Sequence, residues 1–228
     1  MDNQTQTRNA MTPTNTTGED GLRIEQLSVL RGMALVISKL SFRQQAGEIC
    51  CLTGPNGAGK STLLRTIAGR LSAAEGTITC SVPLVYVGHT DGLSGAITGR
   101  ENLVGWAKVN GLLAPESDID TALAGFAANR FSDLPVRVLS RGQRRRLALA
   151  RLALAPPNSL WLLDEPNAGL DRASNDSLDQ LVTGHADRGG MVMAATHLDF
   201  AAAATPRSLH LAGIMPETSS ASAQGKTG

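Results

Sequence analysis

Residues 49–62 read ICCLTGPNGAGKST. A short apolar run, Ile49–Thr53, stops at a glycine-rich loop, and a helical pattern begins where the loop ends. Residues 54–61, GPNGAGKS, match G-x-x-x-x-G-K-[ST], with Thr62 next and with the flanks that pattern needs, a buried strand before and a helix after. Each position in the loop has a physical purpose. Gly54, Gly57 and Gly59 let successive backbone N–H groups turn toward one point, between the bulkier Pro55, Asn56 and Ala58. The helix that follows adds its positive end. Lys60 adds a point charge for terminal phosphates, and the Ser61 hydroxyl, beside Thr62, can ligate Mg²⁺. This stretch predicts nucleoside triphosphate binding by residues 54–62.

Working outward, Leu22, Ile24, Leu27 and Val29 give a broken alternation that predicts a strand, and Met33 to Phe42 holds a second. Gly47-Glu48 is a turn. Thr62 to Ala68 has helical spacing at Leu63, Leu64 and Ile67, with Gly69 as its C-cap. Val82 to Val87 is a further strand. From about 90 to 155 the pattern turns helical, broken by Asn, Gly and Pro, which predicts a helical insertion. Leu160–Leu163 and Met191–Thr196 return to short apolar strands. Residues 1–20 and 214–228 are polar and predict disordered tails around a folded domain at 21–213. The order predicts an α/β fold.

Bulk composition narrows the function classes. The chain has 228 residues, 42% of them hydrophobic, enough for a core. With 21 basic and 20 acidic residues the formal net charge is +1, which argues against a nucleic-acid coat protein. Cys50, Cys51 and Cys80 form no disulfide framework, and the first two sit in an apolar run as buried thiols of a reducing compartment. The N-terminus lacks an apolar signal core, and no uncharged apolar run reaches the roughly 18–20 residues of a membrane helix. An intracellular chain that does not itself cross a bilayer is the expectation.

Leu160-Trp161-Leu162-Leu163 leads into Asp164-Glu165. An apolar strand ending in carboxylates is the natural second half of a triphosphate site. Asp164 would hold Mg²⁺, and Glu165 could orient or deprotonate a water. His197 ends another apolar strand, where site residues collect in α/β sheets. Together these predict hydrolysis as well as binding. Residues 139–155, LSRGQRRRLALARLALA, pose a different question: a nucleic-acid patch, or a turn with a helix behind it?

The set GPNGAGKST, LSRGQ at 139–143, LLDEP at 162–166, AGLD at 168–171 and His197, in that order, resembles the ATP-binding cassette (ABC) ATPases across nearly all of residues 21–212. The resemblance implies a P-loop NTPase (RecA-like) core with a helical insertion subdomain and a small N-terminal antiparallel β part. It implies ATP and Mg²⁺ as ligands, with Ser61 and Asp164 at the metal. It also implies a head-to-tail homodimer in which Leu139, Ser140, Arg141, Gly142 and Gln143 face the partner's ATP and Asp171 bridges the two sites. Glu165 is then the catalytic carboxylate, and His197 contacts the γ-phosphate and the water.

Within the family, the chain is similar to the ATP-binding subunits of cytochrome c maturation, the haem exporter group. The similarity is carried by Tyr86-Val87-Gly88-His89, Glu101-Asn102-Leu103, the run from Leu139 to Arg151, and Gly189-Gly190-Met191-Val192. It implies integral membrane transporter partners, a peripheral place on the cytoplasmic face of the inner membrane, and no nucleic-acid partner. The alternatives are another small ABC exporter, or a soluble ABC ATPase acting on nucleic acid or ribosomes. Soluble members usually carry two cassettes or a long coiled-coil insert; this chain has one cassette and no heptad run. His89 stands where most of the family has Gln, and is read as a third catalytic residue, near Mg²⁺ and the γ-phosphate. The arginines after Gln143 are read as the polar face of a packed helix.

Overall fold

The computed structural model describes residues 21–196 and 206–213. The predicted tails and His197 lie outside the described residues. Strands β1 (Gly21–Arg31), β2 (Ala34–Gln45) and β4 (Glu75–Cys80) form an antiparallel sheet in the order β2-β1-β4. The broken alternation of β1 has a local cause. Gln26 takes a positive φ of 48°, and the register shifts between Ile24 and Leu27. That bulge returns Leu27 and then Val29 to the inner face, where both are fully buried with Leu22 and Ile24.

The second sheet contains β3 (Ile49–Thr53), β5 (Leu84–Val87), β6 (Leu160–Asp164), β7 (Met191–Ala195) and β8 (Arg207–His210), in the order β5-β6-β7-β3-β8. Every pairing in it is parallel. A parallel sheet is covered on both faces, which is why β3, β6 and β7 read as unbroken apolar runs. Leu52, Leu162 and Met193 point toward the antiparallel sheet and α1 (Lys60–Ile67), packing with Leu22, Leu63 and Leu64. Trp161, Leu163 and Val192 point the other way, into a cluster with Leu103, Leu123, Leu147 and Val182.

Those last four belong to α2 (Gly99–Val109), α3 (Glu116–Gly125), α4 (Arg141–Ala150) and α5 (Arg172–Asp187). Thr98 and Glu101 start α2 with a reciprocal capping box, and Ser140 and Gln143 do the same for α4. The structure is thus α/β, with a parallel core, helices between β5 and β6, and a small antiparallel sheet. Two strands have no counterpart in the sequence expectations: β4, with four of six residues exposed, and β8, an edge strand reading RSLH. Among the described residues no helix is long and apolar enough to cross a membrane.

Candidate nucleotide site

Because β3 and β6 run parallel with β7 between them, the residues after each emerge at the same edge of the sheet. The loop after β3 is held open by its geometry. Gly54 has a φ of 128°, and a side chain there would meet the Leu211 carbonyl oxygen at 2.2 Å. Gly59 stands at the N-cap of α1 with no side chain capping the helix, and no acidic residue occupies the first turn. The free N–H groups of that turn are therefore left to an anion. Lys60 folds back over the loop, its Nζ donating to the carbonyls of Gly54 at 2.7 Å and Pro55 at 3.0 Å.

Ser61 Oγ donates to Asp164 Oδ1 at 2.8 Å, joining the loop to the end of β6. The second oxygen, Oδ2, is buried with no hydrogen-bond partner. An unpartnered buried carboxylate oxygen beside a hydroxyl fits a cation. Among the described residues no group of three or more His, Cys, Asp or Glu could hold a metal ion by itself. That donor set suits Mg²⁺, which takes one or two protein ligands and fills its shell with phosphate oxygens and water.

Glu165 follows with a φ of 49°, a left-handed conformation that costs a non-glycine residue about 1–2 kcal/mol. Its N–H donates to the Ala195 carbonyl at 2.9 Å, tying it to the end of β7. Strain of this kind in a cleft is a signature of a positioned group. His89, just past the end of β5, brings Nδ1 to 3.5 Å from Glu165 Oε2, with both side chains about half exposed. The structure therefore gathers Lys60, Ser61, Asp164, Glu165 and His89 at one edge.

Leu139–Gln143 lie elsewhere. Among the described residues, no hydrogen bond joins them to the loop at 54–62. Ser140 Oγ accepts from Gln143 N–H at 3.2 Å, and Gln143 Oε1 accepts from Ser140 N–H at 2.8 Å. Arg141 is exposed, and a side chain at Gly142 would meet the Gly169 carbonyl at 3.0 Å. This helix start thus sits against the 168–171 turn. Asp171 caps α5, accepting from Ser174 N–H at 2.8 Å; the Ser174 hydroxyl first, and then this N–H, hold its carboxyl below the usual carboxylate range.

One sequence expectation is corrected here. The arginines of α4 are not all on a polar face: Arg145 is 3% exposed, and Arg151, just after the helix, is 7%. Arg145 reaches the backbone at the ends of β5 and β6, and Arg151 donates to the Gly92 carbonyl at 3.0 Å. A signal was present in the sequence. Arg145, Ala148, Leu149 and Leu152 are spaced i, i+3, i+4, i+7, so Arg145 lies on the apolar stripe. Asn167 also gains an account. Its amide donates to Asn175 Oδ1 at 2.9 Å, and its oxygen accepts from Thr196 Oγ at 3.1 Å, bracing the 165–171 turn between α5 and the end of β7.

Residues 37–168 match the family model described as ABC transporter. A cytochrome c biogenesis ATP-binding export protein CcmA from Rhodospirillum rubrum is 43% identical over 187 residues, covering 77% of this chain and 79% of that protein. The protein of the same name from Ruegeria pomeroyi is 42% identical over 179 residues, covering 78% and 85%. Among solved structures, an ATP-binding subunit of an ABC transporter superposes with a TM-score of 0.69 at 24% identity, over 78% of this chain and 80% of that one. An ABC transporter ATP-binding protein from Pyrococcus furiosus gives 0.69 at 21% identity, over 84% and 97%, which speaks to the fold.

Proposed function

Since the chain belongs to the ABC transporter family of ATPases, we propose that it is the ATP-binding and hydrolysing subunit of a haem-export, cytochrome c maturation complex. The observation that carries this reading is the 43% identity to a cytochrome c biogenesis ATP-binding export protein over 77% of the chain. The site geometry supports the chemistry. The N–H groups at the start of α1 and the Lys60 ammonium bind the β- and γ-phosphates of ATP. The ammonium leaves two neutral carbonyls for a full negative charge. Ser61 and Asp164 would hold Mg²⁺, whose charge would offset that of the phosphates. Glu165 orients the attacking water and accepts its proton, with His89 beside it. By resemblance to the family, His197 would contact the γ-phosphate.

The working unit in this reading is a head-to-tail homodimer. Each α4 N-terminus, with Leu139–Gln143, faces the partner's ATP, and Asp171 lies at the bridge between the two sites. ATP closes the pair and hydrolysis opens it. Movement passes to integral membrane subunits of the maturation complex, with this chain on the cytoplasmic face of the inner membrane.

The test combines Glu165→Gln with isolation from native membranes. The variant is expected to bind Mg-ATP, to dimerise, and to lose hydrolysis by about 10²–10⁴-fold. The unaltered chain is expected to co-purify with membrane subunits of the cytochrome c maturation system. A variant that stayed monomeric in saturating Mg-ATP would overturn the dimer. Recovery of the chain only in the soluble fraction, bound to RNA or DNA, would favour the soluble alternative.

A further inference from the structure

Arg145 lies one turn into α4 from Ser140, and all five of its N–H groups have acceptors. Nε donates to the Pro166 carbonyl at 3.1 Å. One terminal nitrogen donates to the Gly88 carbonyl at 2.7 Å and to Asp91 Oδ1 at 3.3 Å. The other donates to the carbonyls of Asp164 at 3.0 Å and Glu165 at 2.8 Å. Four of the five acceptors are backbone oxygens from two segments that β5 and β6 deliver separately. One segment carries His89; the other carries Glu165 in its left-handed conformation.

We propose that Arg145 is a positioning residue for ATP hydrolysis: its guanidinium locks the Gly88–Asp91 segment to the Asp164–Pro166 segment and so sets the distance between His89 and Glu165. Burial is costly for a guanidinium, and among the described residues only one carboxylate, Asp91, offsets it within contact distance. A core helix that only needed volume at this point would be served by Leu or Met. A planar fork with five donors is what two backbone segments at fixed separation require. The fork also sits on the helix whose first turn is Ser140–Gln143. It therefore joins the element that faces one ATP to the carboxylate that acts on the other. Arg151 reinforces the link from the next turn through the Gly92 carbonyl, beside Asp91.

This inference rests on the reading of Glu165 as the catalytic carboxylate, and the experiment separates the two. ATP hydrolysis by the full chain is measured for Arg145→Lys, Arg145→Gln, Asp91→Ala and Glu165→Gln. Arg145→Lys keeps the charge but has three donors on one nitrogen and no fork. Both Arg145 variants are expected to lose about 10- to 100-fold in kcat, the scale of a misplaced catalytic group. KM for ATP should stay within about twofold, since the phosphate loop is untouched. Backbone hydrogen exchange should quicken at 88–92 and 164–168 and hold at 60–67. Should Arg145→Gln fail to fold, Arg145→Lys and Asp91→Ala carry the same readouts. Full kcat in Arg145→Lys, equal movement of kcat and KM, or unchanged exchange in both segments would overturn the proposal. Full hydrolysis by Glu165→Gln would instead overturn the assignment of Glu165.

Discussion

Gly54→Ala and Gly57→Ala, compared side by side, test whether the phosphate loop is held by conformation alone or also by contact with Leu211, just past the end of β8. Both glycines have positive φ, 128° and 85°. At Gly57 an added methyl group would meet nothing within 4 Å. Its only cost is the left-handed backbone, about 1–2 kcal/mol. At Gly54 the methyl carbon would stand 2.2 Å from the Leu211 carbonyl oxygen, whereas close carbon–oxygen contacts need about 3.3 Å, so the backbone there must retreat by about 1 Å. That retreat pulls on the bond from Leu211 N–H to the Thr53 carbonyl, now 2.9 Å, whose loss adds about 0.5–1.5 kcal/mol. Gly54→Ala should therefore destabilise the nucleotide-free chain by about 1.5–3.5 kcal/mol, and Gly57→Ala by about 1–2 kcal/mol. Urea unfolding of both variants at one protein concentration reads the difference through the midpoint at constant slope. Equal destabilisation would refute the contact with Leu211 as a constraint on the loop. A larger loss in Gly57→Ala would refute the ordering altogether.

Two further outcomes follow from side chains near the sheet. His185 is 1% exposed, stacked on Trp161 at 3.7 Å between ring centres, with Nε2 2.9 Å from the Ser159 carbonyl. Burial holds its pKa below the ordinary histidine value, so the unfolded chain takes a proton that the folded chain refuses. Stability from this group is complete above about pH 6.5 and falls as pH drops below it, at up to about 1.4 kcal/mol per pH unit. His185→Phe should flatten that part of the profile in unfolding measured from pH 5 to 8; an unchanged slope would exclude His185 as its source. His89→Ala should lower both the ATPase rate and its stimulation by the membrane subunits, and unchanged values for both would remove His89 from the site.

The parts of the fold that were legible are those where burial forces composition. A strand covered on both faces has no freedom to be polar, so β3, β6 and β7 declared themselves as apolar runs next to the loop and the carboxylates. Edges carry no such constraint. β8, with three of four residues exposed, reads RSLH and looks like coil. β4 is stabilised by its pairing with β1, a contact that local sequence does not encode. The site divided the same way. Lys60, Ser61, Asp164 and Glu165 belong to contiguous motifs with a local logic. Arg145 acts on Gly88 and Asp164–Pro166, far away along the chain, through carbonyls that every residue possesses, so nothing in the partners' side chains marks them. Three adjacent arginines looked alike; only the tertiary neighbourhood separates one buried guanidinium from two partly buried ones.

Five hydrogen bonds from one side chain to two strand ends also restrict how the molecule can move. Helices α2 and α3 pack on α4 and the turn after it, and α4 is fastened to the ends of β5 and β6 at the guanidinium. Any rigid swing of that helical layer that preserves those bonds turns about the guanidinium, with the Arg151 bond to the Gly92 carbonyl beside it. The guanidinium is then a pivot, and Ser140 stands about 7.5 Å along the helix axis from the residue that carries it. A sliding of α4 along the sheet, without rotation about that point, would have to break the fork.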